Sequence, residues 1–122
     1  MLDWNNYRTQ ILATIGDIAK ISPDTVRGYG QLGAAGAKTA HLDAKTRELI
    51  ALAVAVTRQC DGCITTHTDA AVKHGASREE IMEALGVAIA VNAGAALVYS
   101  ARVMDAFTER TRDQNTGAAA PE

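Results

Sequence analysis

At 122 residues the chain has the length of one domain with a single core, small enough to gain stability from association. Its 12 Lys and Arg against 14 Asp and Glu leave a formal charge of -2, which excludes the basic field a nucleic-acid-binding surface requires. The opening Met1-Leu2-Asp3-Trp4-Asn5-Asn6 has neither the positive flank nor the apolar stretch of a secretory signal, so a cytoplasmic protein with no membrane partner is expected.

Alanine is abundant, aromatics make up only 4%, and β-branched residues do not alternate with polar ones, a pattern that predicts an all-α fold. Between Trp4 and Ala19, Tyr7, Ile11, Leu12, Ile15 and Ile18 recur at helical spacing and mark an amphipathic helix. Ser22-Pro23-Asp24 is a second start signal, with Ser22 placed to accept free amides and Pro23 suited to the first helical position. This helix is expected to reach about Gly36. Gly28, Gly30 and Gly33 each weaken it by about 1 kcal/mol relative to alanine, so packing must hold it.

Residues 36–41 read as a connection, and Asp43 as the cap of a helix running to about Arg58. Its segment from Leu49 to Val56 is wholly apolar. Interspersed alanines, with Lys45, Arg47 and Arg58 extending the pattern on both sides, favour a buried helix over a strand. Gly62 interrupts that helix, and Cys60 or Asp61 caps a new one that ends at Gly75.

Ser77-Arg78-Glu79-Glu80 is a capping box, opening a helix that carries Ile81, Met82, Leu85 and Ile89. Residues 84–98 form a second apolar stretch, short for a membrane span. Within it Gly86, Ala90 and Gly94 recur every four residues, a flat strip suited to helix or subunit packing. A break near Asn92-Ala93-Gly94 and a last helix with Leu97, Tyr99, Val103, Met104 and Phe107 bring the expected total to about six helices. One domain is expected over residues 1–112, followed by a disordered tail over residues 113–122, which lack a periodic apolar face.

The chemistry gathers in Glu48-x11-Cys60-x2-Cys63-x3-His67. In a reducing compartment a lone thiol pair points to redox or metal chemistry rather than a permanent staple. A helix beginning at Asp61 puts Cys63 in the first turn, where free amides and the helix dipole favour a thiolate. His67, four residues on, lies on the same helical face and is placed to exchange protons with the thiols. If the preceding helix packs antiparallel, Glu48 reaches His67 and fixes its tautomer. Cys63 is then the attacking thiol on a peroxide O–O bond, and Cys60 resolves the sulfenic acid to a disulfide.

These four residues are framed by Leu42-Asp43-Ala44-Lys45-Thr46-Arg47-Glu48-Leu49-Ile50 and by His74-Gly75-Ala76-Ser77-Arg78-Glu79-Glu80-Ile81. So framed, they closely resemble the AhpD-like alkylhydroperoxidases of the carboxymuconolactone decarboxylase superfamily, over roughly residues 40–105. The resemblance implies an all-helical fold assembled as a homo-oligomer, a trimer or hexamer, with Glu48 and His67 as a proton relay for Cys60 and Cys63. It implies a hydroperoxide substrate, a dithiol or protein-bound lipoyl reductant, and no metal or organic cofactor. The best-known members also carry a histidine immediately before the second cysteine, where this chain has Gly62.

The residues themselves leave other readings open. Two thiolates, an imidazole and a carboxylate are a zinc donor set, although the second Cys or His pair of a typical structural site is missing. A lesser alternative reads the two cysteines as small core hydrophobes. His41 and His74 read as structural or solvated, and Tyr29, Tyr99 and Phe107 as core or interface residues rather than substrate contacts. The expected activity is that of an alkylhydroperoxidase-like thiol oxidoreductase. The alternatives are a lyase resembling the decarboxylase branch and a non-catalytic helical oligomer that binds metal or a partner.

Overall fold

A computed structural model describes residues 1–117 and is all-helical, with no strand among those residues. Five helices follow in order: α1 (Trp4–Ile21), α2 (Pro23–Thr39), α3 (Ala44–Arg58), α4 (Asp61–Lys73) and α5 (Arg78–Asn115). By contacts the chain divides into two compact units, Met1–Ala88 and the remainder from Ile89.

Each helix start in the first unit follows from local chemistry. The Asp3 carboxylate accepts the Asn6 amide at 3.1 Å and the Asp43 carboxylate accepts the Thr46 amide at 2.7 Å, each satisfying one orphan donor of a first turn. Pro23 opens α2 at the position where its missing N–H costs nothing. The Ser22 hydroxyl does not cap it as expected; it pairs instead with the Thr25 hydroxyl at 2.7 Å. At the start of α5 the capping box is complete: the Ser77 hydroxyl accepts the Glu80 amide and the Glu80 carboxylate accepts the Ser77 amide, both at 3.0 Å.

α2 runs three residues past Gly36, to Thr39. Its end lies against α3. A Cβ at Gly36 would stand 2.8 Å from Cδ of Arg47, whose guanidinium donates to the Leu42 carbonyl. Gly28, Gly30 and Gly33, by contrast, face open space, and α2 buries no residue within this chain.

The core lies between α3 and α4, which form the most closely packed helix pair and contribute Leu52, Ala55, Thr65 and Ala71. The apolar run of α3 is therefore buried on one face only: Ile50, Val54 and Val56 are each at least two-fifths exposed. A single chain of this size has no second layer to cover the other face. α1 packs on both α2 and α4, and its contact with α4 carries an ion pair from Arg8 to Asp69 at 2.8 Å.

α5 differs most from the sequence expectation. It is one helix of 38 residues with no break at Asn92-Ala93-Gly94, which reduces the expected six helices to five. A single glycine costs only about 1 kcal/mol in a helix, and no proline lies nearby to force a kink. Unbroken, α5 is long and apolar enough by length and composition to cross a membrane, unlike the short apolar stretch read from the sequence. In the second unit Val91, Leu97, Val98, Tyr99, Val103, Met104 and Phe107 are all exposed in the single chain.

The helix also continues to Asn115, three residues into the expected disordered tail. An ion pair between Arg112 and Glu109 and the Thr111 hydroxyl bonding back to the Phe107 carbonyl accompany it, and extending an existing helix is cheap. The rest of that tail, residues 118–122, lies outside the described residues.

The capping box is tied to α3 by an ion pair between Lys45 and Glu80 at 2.7 Å. The Lys45 ammonium, and then the Ser77 amide, hold the Glu80 carboxyl below its ordinary range, and Glu80 holds Lys45 above its own. The stability linked to Glu80 is complete above its unfolded pKa of roughly 4.3 and is lost as pH falls through its lower folded value. That linked to Lys45 is complete below roughly 10.4 and is lost as pH rises through its higher folded value. Ser77→Ala is expected to lower stability by about 1 kcal/mol in urea denaturation at neutral pH. Glu80→Gln is expected to flatten the acid limb of the stability profile, and an unchanged acid limb would contradict this linkage.

Candidate functional site

The site is built at the turn between α3 and α4. Gln59 ends α3 in the left-handed conformation, with φ 53°. Its amide bonds to the Val56 carbonyl at 3.3 Å and the Cys60 amide to the Ala55 carbonyl at 3.1 Å, the paired bonds that close a helix over a left-handed residue. The next residue, Cys60, is already the N-cap of α4, and its Sγ accepts the Cys63 amide at 3.2 Å. A sulfur thus stands where a serine or aspartate oxygen is usual, at the positive end of a helix dipole. Cys63 follows in the first turn, and the two cysteines are joined as a disulfide with Cα atoms 5.2 Å apart.

This short turn folds α4 back along α3 and brings Glu48 to His67 across 19 residues of sequence. Glu48 Oε2 lies 2.7 Å from His67 Nδ1, with the side chains only 21% and 30% exposed. A carboxylate accepts and does not donate, so the neutral ring carries its proton on Nδ1 and presents the Nε2 lone pair. All four residues singled out in the sequence thus belong to one hairpin, with Cys60, Cys63 and His67 lining one cavity and Glu48 behind His67.

That cavity measures about 580 Å³, within the usual range for small-molecule sites. Gln59, Asp61, Gly62 and Thr66 complete its thiol side, and Tyr7, Ile11, Leu12 and Ile15 of α1 with Tyr29 of α2 form the facing wall. Tyr29, read from the sequence as a core or interface residue, is 69% exposed and borders the thiol cavity. The α1 residues were legible only as an amphipathic stripe, since helical spacing marks a face without saying what it faces. His41 and His74 are exposed at helix ends, as expected. Among the described residues, no three His, Cys, Asp or Glu side chains are grouped to hold a metal ion.

Fold and site together define an all-helical protein with a cysteine pair at a helix start, backed by a carboxylate–imidazole pair. Residues 23–106 match the model of the carboxymuconolactone decarboxylase family, and the chain belongs to that family, as its AhpD-like motifs implied. An uncharacterized protein of Haemophilus influenzae is 49% identical over 106 residues, covering 87% of this chain and 94% of its own. Another, from Cupriavidus necator, is 30% identical over 105 residues, covering 86% and 93%. The crystal structure of an apo carboxymuconolactone decarboxylase family protein from Legionella pneumophila superposes with a TM-score of 0.69 at 39% identity, covering 87% of this chain and 95% of that one.

Gly62 lies in the first turn of α4, and a Cβ there would meet only Cγ1 of Ile11, at 3.9 Å. Alanine therefore fits. Gly62→Ala is expected to keep the disulfide and raise stability by up to about 1 kcal/mol in denaturation of the oxidised protein, and a loss of stability would contradict the open geometry.

Proposed function

We propose that the protein is a thiol-dependent peroxidase that reduces organic hydroperoxides through Cys63 and Cys60. The observation that carries this reading is the Glu48–His67 contact at 2.7 Å behind a cysteine pair that opens into a cavity.

In the reduced protein, His67 Nε2 takes the proton of the Cys63 thiol while Glu48 holds the Nδ1–H. The thiolate attacks the terminal oxygen of ROOH and the O–O bond breaks. The departing alkoxide collects the proton from His67 and leaves as ROH, and Cys63 becomes a sulfenic acid. The Cys60 sulfur then attacks Cys63 and expels hydroxide, which takes up the Cys60 proton to form water. The product is a Cys60–Cys63 disulfide, a bond that the 5.2 Å separation of their Cα atoms permits. Two electrons and two protons from an external dithiol, of lipoyl or similar type, restore the thiols by exchange. The Cys63 amide that Cys60 Sγ accepts favours Cys60 as a thiolate when the disulfide opens. No metal or organic cofactor is required.

A lyase acting on a carboxylated lactone finds less support, because among the described residues no Lys or Arg lines the cavity. The exposed apolar faces of α3 and α5 support assembly as a homo-oligomer. A trimer or hexamer is what the family resemblance implies, and a cytoplasmic location follows the reading of the N-terminal sequence.

Treating the reduced protein with one equivalent of an organic hydroperoxide is expected to consume two thiols. Cys60→Ser should accumulate a sulfenic acid that dimedone traps, and His67→Ala should oxidise at least about tenfold more slowly. Thiols that survive the hydroperoxide would refute the proposal.

A further inference from the structure

All of the wall facing the thiols except Tyr29 comes from a part of the chain the family model does not reach. That match begins at residue 23, whereas α1 spans Trp4–Ile21 and supplies Tyr7, Ile11, Leu12 and Ile15 to the cavity. These positions form one apolar face of a helix. Such a face usually fills a core, but Leu12 and Ile15 are 57% and 43% exposed, and α1 buries no residue. Their apolar surface remains available beside Cys60 and Cys63. The helix is fixed over the site by the Arg8–Asp69 ion pair to α4, with Ile11 directly over Gly62.

The charge of the cavity narrows what it accepts. Among the described residues that line it, Asp61 is the one carboxylic acid, and no Lys or Arg is there to receive a carboxylate or phosphate. The aliphatic side chains of Ile11, Leu12 and Ile15 and the rings of Tyr7 and Tyr29 line the same cavity.

We propose that α1 is the specificity element of this site: Leu12 and Ile15, with Tyr29 of α2, hold the apolar body of an uncharged substrate while its reactive end faces Cys63. This rests on the peroxidase reading for the identity of the reactive end, but not for the selection itself. Bulky uncharged hydroperoxides are then preferred over hydrogen peroxide, which leaves the wall unfilled. Anionic hydroperoxides are disfavoured by Asp61 and the missing cation.

The test uses the reduced 122-residue chain with two probe pairs. One is cumene hydroperoxide against hydrogen peroxide. The other is N-phenylmaleimide against N-methylmaleimide, with rates expressed relative to free cysteine. Leu12→Gln and Ile15→Gln replace exposed helical residues with a good helix former, and Tyr29→Ser probes the wall from a second helix. Leu32→Gln, exposed on α2 and outside the cavity, is the control.

The wall variants are expected to lose about tenfold or more of the cumene-to-hydrogen-peroxide rate ratio, in the range set by losing one apolar contact, and to lose the phenyl preference in parallel. Leu32→Gln should leave both ratios unchanged. If neither peroxide oxidises the thiols while the maleimide ratio still falls, the wall stands and the peroxidase reading fails. If the parent oxidises with hydroperoxide but the wall variants keep both ratios, the role of α1 is overturned and the peroxidase reading stands.

Discussion

The contact between Glu48 and His67 is the constraint around which the site is arranged. At 2.7 Å it requires α4 to fold back along α3, and it leaves the imidazole one defined tautomer. The backbone meets the first requirement with a two-residue connection, in which Gln59 closes one helix and Cys60 caps the next. The connection has a local cost, since Gln59 takes a left-handed conformation that glycine would adopt more easily. The same turn sets the cysteine spacing, so the cysteine pairing, the helix cap and the Glu48–His67 contact come from one piece of local geometry. A site held on two packed helices is also more rigid than one carried by a loop.

Much of this site was legible in the sequence because its parts are local. Cys60, Cys63 and His67 lie within eight residues, where helical periodicity alone puts them together. Asp43 and the Ser77–Glu80 box could be read as caps from residue type and spacing, and both are observed as such. Glu48 was a conditional assignment, since its distance from His67 depends on how two helices pack. The apolar stripe of α1 was visible as a stripe, but its role as a cavity wall arises only when α1 lies over α4.

The expectations that failed did so where several weak preferences compete. Asn92 and Gly94 each disfavour a helix slightly, yet the long helix-forming segments on either side carry α5 straight through them. The same cooperativity extends α5 into residues first read as tail. The apolar run of α3 was read as part of a buried helix, but burial depends on what covers each face. One chain covers only the face carrying Leu52 and Ala55.

The central claim concerns the imidazole that Glu48 holds in the cavity lined by the thiol pair, and its tautomer is the most direct measurement of it. Nitrogen-15 NMR of the reduced protein, with His67 assigned by comparison with His67→Ala, reads which ring nitrogen of the neutral imidazole carries the proton. The expected result is a proton on Nδ1 that shifts toward the ordinary Nε2–H form in Glu48→Ala. A His67 ring already in the Nε2–H form in the parent protein would contradict the relay, because its remaining lone pair would then point at Glu48 instead of the thiol.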